Sequence, residues 1–319
     1  MRLFFTAFLL GVVAISAQAA GIHRLALPAA LVGGGDVQAM LWTPCAQPPQ
    51  PLALGPFQLL ATKDCPVVAP HTLPLVVVSH GYGGTNLSHH DVAQTLADSG
   101  FAVLAISHPL DAAPHLARGG SFAALEWRPA DITRAINGLL RHPTFGPQID
   151  AERIGFFGFS RGGYTGLVLA GAKPDFVHPQ FACVDLRIPL CQDLHERRIP
   201  PMAYPPDARI KAYVLADPLS AFPSRTSVYS VRAPVQLWAS EWGGDGIVPG
   251  SVQALGQLLP ATTEVHVVAG AGHFAFLPPC TPQLAAVAPA VCTDPAGFDR
   301  PAFHQRFTAE VRRFFVQKL

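Results

Sequence analysis

Charge is scarce in this 319-residue chain: Lys, Arg, Asp and Glu together supply 13% of it, and the formal net charge is +1. With the two signs interspersed, there is no basic stripe to track a phosphate backbone and no polybasic patch for anionic lipid, so nucleic acid is not an expected partner. The one apolar run that suggests a membrane anchor, Leu3 to Ile15, is shorter than the roughly 20 residues a bilayer span needs. A stable membrane anchor is therefore not expected. No two cysteines stand in C-x-x-C spacing, which removes the common zinc and dithiol signatures. Internal repeats and a second composition regime are also lacking, so nothing marks a boundary between domains.

Apolar residues make up 50% of the chain, enough for a large core and too many for extensive disorder. Arg2, the apolar run after it and the small-residue sequence Ala17-Gln18-Ala19 before Ala20 have the form of a secretory signal peptide. The expectation is export to the periplasm or medium with cleavage after Ala19, leaving residues 20–319 as one α/β domain, a monomer. An exported chain meets an oxidising compartment, where an even set of cysteines usually pairs. The six here fall into three local couples, each bracketing an irregular or Pro-rich segment. Cys45 with Cys65, Cys183 with Cys191 and Cys280 with Cys292 is the favoured set among the 15 connectivities that six cysteines allow.

Two short strands are expected between His23 and Thr43, followed by a Pro-rich surface excursion from Pro44 to Pro74, too rich in ring residues for a central strand or a helix. Continuous apolar runs at 75–79, 101–107, 153–159, 210–215, 235–238 and 263–268 read as buried parallel strands. Helical spacing falls between them: through Val92, Leu96 and Ala97, from Pro129 to Arg141, after Ser160, from Ser251 to Leu259, and in a terminal helix opened by Pro301 with Phe303, Phe307, Val311 and Phe314 on one face. This alternation specifies a mostly parallel sheet covered by helices on both faces. The stretch from Lys173 to Ala208 lacks periodicity and carries the second cysteine couple, so it reads as an insertion after the helix that follows Ser160.

Gly158-Phe159-Ser160-Arg161-Gly162 is a G-x-S-x-G sequence at the junction of an expected strand and helix. The turn it makes presents a serine Oγ at the top of a sheet, and the flanking glycines leave room for a strained backbone. Ser160 is the candidate nucleophile. A tetrahedral oxyanion needs donors already in place, and His80-Gly81-Tyr82-Gly83-Gly84, at the end of an earlier strand, is a turn able to supply them. The backbone N–H groups of Tyr82 and Arg161 are the candidate donors. Of thirteen histidines, His273 is singled out by its place in a glycine loop after the last strand, and it is the candidate general base. His89, His90 and Asp91 invite a metal reading, but neighbours on a helix do not face one another, so no metal and no cofactor is expected.

Pro74 to Gly84, Ile149 to Ala172, and Gly270-Ala271-Gly272-His273-Phe274-Ala275-Phe276-Leu277 resemble the bacterial predicted dienelactone hydrolases that group with platelet-activating-factor acetylhydrolases. The resemblance spans nearly the whole mature chain and implies an α/β-hydrolase fold, no cofactor, and hydrolysis of carboxylic esters, including short acyl groups on phospholipids in the acetylhydrolase branch. It places Ser160 and His273 on the family's nucleophile and base, and Tyr82 and Arg161 on its oxyanion donors. The dienelactone hydrolases proper use a cysteine nucleophile where Ser160 stands here.

The expected activity is a serine hydrolase cleaving short-chain or lipid-like esters through an acyl-enzyme. The alternatives are a peptidase or amidase with the same machinery, and a non-catalytic exported binding protein on the same fold. The acid that orients His273 is expected at Asp245, in a glycine-rich loop matching the family's D-x-x-x-P-like pattern. Asp217, at the position used in the acetylhydrolase branch, and Glu241 are the other candidates.

Overall fold

The computed structural model describes residues 19–28, 35–69, 71–114, 116, 119–183 and 185–319. The signal peptide expected at 1–19 lies outside this set, apart from the backbone of Ala19. Among the described residues ten strands form one sheet: β1 (Ala19–Leu27), β2 (Val37–Cys45), β3 (Gln50–Leu54), β4 (Phe57–Lys63), β5 (Leu73–Ser79), β6 (Ala102–Ser107), β7 (Ile149–Phe159), β8 (Ile210–Ala216), β9 (Val235–Ser240) and β10 (Glu264–Val268). Their order across the sheet is β10-β9-β8-β7-β5-β6-β2-β1-β4-β3.

From β10 to β6 every pairing is parallel. Parallel strands buried on both faces need apolar residues at consecutive positions, and β9, Val-Gln-Leu-Trp-Ala-Ser, is buried throughout. The helices among the described residues are α1 (His90–Ala97), α2 (Phe122–Leu140), α3 (Arg161–Leu169), α4 (Pro189–His195), α5 (Arg225–Val228), α6 (Ser251–Leu258), α7 (Pro282–Val287), α8 (Pro289–Cys292) and α9 (Arg300–Lys318). Side chains of α2, α3 and α6 join the core on one face, and those of α1 and α9 join it on the other. In α9 the apolar stripe is buried as its spacing requires, and each phenylalanine so placed contributes roughly 1.5–3 kcal/mol. Asp299 caps this helix by accepting from Ala302 N–H at 2.9 Å.

Three elements depart from expectation. The Pro-rich excursion after β2 contains the hairpin β3–β4, which extends the sheet at its edge, the position where proline is tolerated because one side of the strand needs no ladder bond. α2 starts at Phe122, well before Pro129. Ser121 supplies the cap, accepting from Ala124 N–H at 3.2 Å, and Pro129 sits inside the helix, where the missing N–H removes one helical bond. The insertion after α3 contains α4, and Phe181 within it forms a bridge with Ile247. The disulfides are the three expected local pairs, Cys45–Cys65, Cys183–Cys191 and Cys280–Cys292. No helix among the described residues is long and apolar enough to cross a membrane.

The parallel strands β5, β7 and β8 end side by side at Ser79, Phe159 and Ala216. Ligand sites of open α/β sheets lie at this edge, beyond the carboxyl ends of the strands.

Candidate active site

Ser160 stands between β7 and α3 with φ 55° and ψ −116°, a strained conformation for a residue with a Cβ. The surroundings fix it there. Ser160 N–H donates to Ala216 O at 2.9 Å, and its carbonyl accepts from Tyr164 and Leu219 N–H, each at 3.0 Å. The flanking glycines are dictated by space: a Cβ on Gly158 would lie 2.3 Å from Gly162 O, and one on Gly162 would lie 2.0 Å from Ser79 O. The G-x-S-x-G pattern thus records a helix start driven against the end of β5.

His273 follows β10 in a short 3₁₀ turn and is 2% exposed. Its ring stacks on Phe159, the residue before the serine, with centroids 4.6 Å apart. His273 Nδ1 is 2.7 Å from Asp217 Oδ2. Asp217 is fully buried, and it also accepts from Ser240 N–H at 2.9 Å and Ser240 Oγ–H at 2.7 Å. A carboxylate accepts only, so Nδ1–H is the donor in this contact and the second ring nitrogen, Nε2, is left for another partner. That Nε2 is buried and has no hydrogen-bond partner among the described residues.

The contact expected between Asp245 and His273 is not found; Asp217 takes that position. Asp245 is exposed, in the loop after β9. This loop does support the histidine, but through its backbone: His273 N–H donates to Gly243 O at 2.7 Å. Glu241 is exposed as well and accepts from Gly270 N–H at 2.6 Å. The acid that reaches the imidazole therefore comes from the end of β8, one strand nearer the serine than the loop of Asp245.

The turn after β5 lies against the serine: a Cβ on Gly81 would be 3.1 Å from Ser160 Cβ. Neither Tyr82 N–H nor Arg161 N–H has a backbone acceptor among the described residues. The side chains of these two residues meet, with the Arg161 guanidinium carbon 4.3 Å from the Tyr82 ring centroid.

A buried polar cluster lies beneath the turn. Arg128, fully buried on α2, pairs with Asp111 at 2.6 Å and donates to Thr165 Oγ1 at 3.1 Å and to the carbonyl of His80. The other Asp111 oxygen takes Arg161 Nη1 at 3.1 Å. His108 N–H donates to His80 Nε2 at 3.0 Å, His80 Nδ1–H then donates to Gly81 O at 2.6 Å, and His108 Nε2 lies 2.8 Å from Ser79 Oγ. Burial, reinforced by the Arg128 charge, holds the pKa of both histidines well below the usual range. Burial pushes the carboxyl of Asp131, the partner of His108 Nδ1 at 3.0 Å, up to about 6. No sequence spacing marks this cluster, because its members come from β5, the loop after β6, α2 and α3.

The residues of the metal reading engage other groups. His89 packs its ring between Phe157 and Phe159, at 5.0 and 5.4 Å, and Asp91 binds His304 Nδ1 at 2.5 Å. Beside the glycine turn lies a cavity of about 460 Å³, reaching from Tyr82 and Phe159 to the segment between Cys280 and Cys292.

Comparison with known proteins agrees with this geometry at the level of fold. No protein-family model matches the sequence, and no curated protein does. Among solved structures the chain is similar to a ferulic acid esterase from Streptomyces cinnamoneus, with a TM-score of 0.64 and 18% identity over 94% of this chain and 90% of that one. It is also similar to a dienelactone hydrolase from Anabaena variabilis, with a TM-score of 0.52 and 15% identity over 93% of this chain and 98% of that one. These likenesses, together with the strand order and the serine turn, show the α/β-hydrolase fold expected from the sequence.

Proposed function

We propose that the protein is a serine hydrolase of carboxylic esters, with Ser160 as nucleophile, His273 as general base and Asp217 as the acid that orients it. The observation that carries this reading is the buried Asp217–His273 pair, stacked on Phe159 beside a serine held at positive φ. Asp217 fixes the tautomer, so that Nε2 offers its lone pair toward the serine side. Nε2 takes the proton of Ser160 Oγ–H as Oγ bonds to the ester carbonyl carbon, and the carbonyl π pair moves onto oxygen. The Tyr82 and Arg161 N–H groups receive that oxyanion, and donors fixed in advance need no reorganisation as charge develops. The carbon–oxygen bond to the alcohol then breaks, and the alkoxide leaves with the proton from Nε2. Water, deprotonated by the same nitrogen, adds to the acyl-enzyme and releases the carboxylic acid and Ser160 Oγ–H.

The two solved structures compared above bear the names of an esterase and a dienelactone hydrolase, which supports an ester over an amide. The cysteine set and the N-terminal sequence favour action outside the cytoplasm. A short-chain fluorophosphonate tests the reading: stoichiometric labelling at Ser160, abolished in Ser160→Ala, is expected. Folded protein that takes no label would instead be a binding protein on this fold.

A further inference from the structure

The roof of the 460 Å³ cavity is built in an unusual way. α7 and α8, between Cys280 and Cys292, contain no buried residue, yet Leu284, Ala288 and Val291 line the cavity. Their apolar faces therefore cover open space rather than core. Three ties keep the roof in place. The Cys280–Cys292 disulfide closes it on itself, Thr281 Oγ1–H donates to Pro56 O at 2.6 Å, and buried Arg300 donates to Val291 O at 2.9 Å while pairing with Asp294 at 2.7 Å. The floor is Phe159, Phe274 and the glycine turn, so the space begins where the carbonyl oxygen of a bound ester would rest.

We propose that this cavity holds the acyl chain of the substrate and that the 280–292 roof makes the enzyme selective for esters of medium-length, uncharged acyl groups. The proposal rests on the serine-hydrolase reading above. No Asp, Glu, Lys or Arg among the described residues lines the cavity, so a charged chain end finds no partner among them and would be buried there at high cost. The imidazole on its wall, His90, is held toward its neutral form mainly by burial, against the opposing charge of Asp91. A volume in the range of ordinary small-ligand pockets admits more than an acetyl group. The acyl half is assigned here because it stays bonded at the carbon facing Tyr82 through both half-reactions. The alcohol departs with the proton from His273 Nε2, and a separate 260 Å³ pocket is lined by His273, Gly244 and Asp245 among others.

Filling the roof tests this. Leu284→Trp and Ala288→Trp should lower kcat/KM for p-nitrophenyl octanoate at least about tenfold, the usual scale for a few methylenes displaced from a hydrophobic pocket. The same variants should leave p-nitrophenyl acetate within about twofold, because an acetyl group does not reach the roof. Val287→Trp, on the outer surface at 75% exposure, should change neither. Octyl acetate, with its chain on the alcohol side, should follow acetate. Equal losses on acetate and octanoate in variants still labelled at Ser160, no loss on octanoate, or a loss that tracks the alcohol chain would each overturn the assignment. Wild-type protein that hydrolyses neither ester and takes no fluorophosphonate would overturn the hydrolase reading itself, a result separate from any of these.

Discussion

Asp217 reaches His273 Nδ1 at 2.7 Å from the end of β8, while the carboxylate of Asp245, in the loop after β9, stays in solvent. The consequence is a pair of variants with opposite outcomes. Asp217→Asn turns an amide N–H toward either Ser240 or the imidazole and no longer fixes the tautomer, and kcat should fall by about 10⁴, as for a triad acid. Asp245→Asn should stay within about twofold, the range of a surface change. Steady-state kinetics with p-nitrophenyl acetate decides, with circular dichroism to show that both variants fold. A large loss in Asp245→Asn alone would return the orienting role to that loop.

Asp111 holds two guanidinium groups that have almost no access to water, Arg128 at 0% and Arg161 at 7% exposure. Asp111→Ala leaves both without their shared counter-charge, and removing one partner of a buried pair costs about 3–5 kcal/mol. Urea denaturation should show that loss. Arg128→Met combined with Asp111→Leu should cost clearly less than the sum of the single changes, since the double variant removes the buried charge of Arg128 along with its partner. Additive losses would mean that the two residues do not act as a pair.

Stability should fall in mild acid. Burial, the dominant cause, brings the pKa of His89 down to about 3, whereas an unfolded histidine titrates near 6.5. As pH drops below about 6.5 the unfolded chain takes up a proton that the folded one refuses, so the contribution present above that value is lost progressively toward pH 3. Between pH 6.5 and 5 the loss from this residue is about 2 kcal/mol. His80 and His108 act in the same direction. His89→Leu should flatten the curve of unfolding free energy against pH by that amount, and parallel curves would show that His89 is already charged in the folded protein.

Gly162→Ala should be tolerated far less than Gly35→Ala. The first places a methyl 2.0 Å from the Ser79 carbonyl oxygen, and the second meets nothing within 4 Å. Overpacking against backbone costs upward of about 1–3 kcal/mol, here at the serine turn, so activity and soluble yield should drop together. Measurement of Tm and esterase activity for both variants checks this, and an unperturbed Gly162→Ala would mean that β5 and α3 separate freely.

The parts of the site that sequence made legible are those whose geometry is local. Ser160 and its glycines lie within five residues and carry their own steric reason. The cysteine couples are separated by 20, 8 and 12 positions, short enough for proximity along the chain to predict proximity in space. Asp217 was one of three candidate acids, and the choice depended on which loop bends over the strand ends. The glycines around Asp245 suggested freedom to turn inward, but the loop meets His273 through its backbone, with the Gly243 carbonyl accepting the His273 N–H. The cluster of Asp111, Arg128, His80 and His108 was illegible, because nothing short of the strand order brings those positions together. Pro129 read as the start of a helix, although the capping serine stood eight residues earlier.

The stacking of Arg161 on Tyr82, with Asp111 accepting from Nη1 of the same guanidinium, links the side chains of the two proposed oxyanion donors. The two residues are thereby joined through their side chains, and through Asp111 to Arg128 of α2. Under the proposed hydrolase reading, donors joined in this way leave discrimination between substrates to the space around them. Alterations that reshape the walls should then trade one proposed ester substrate for another without blunting the chemical step.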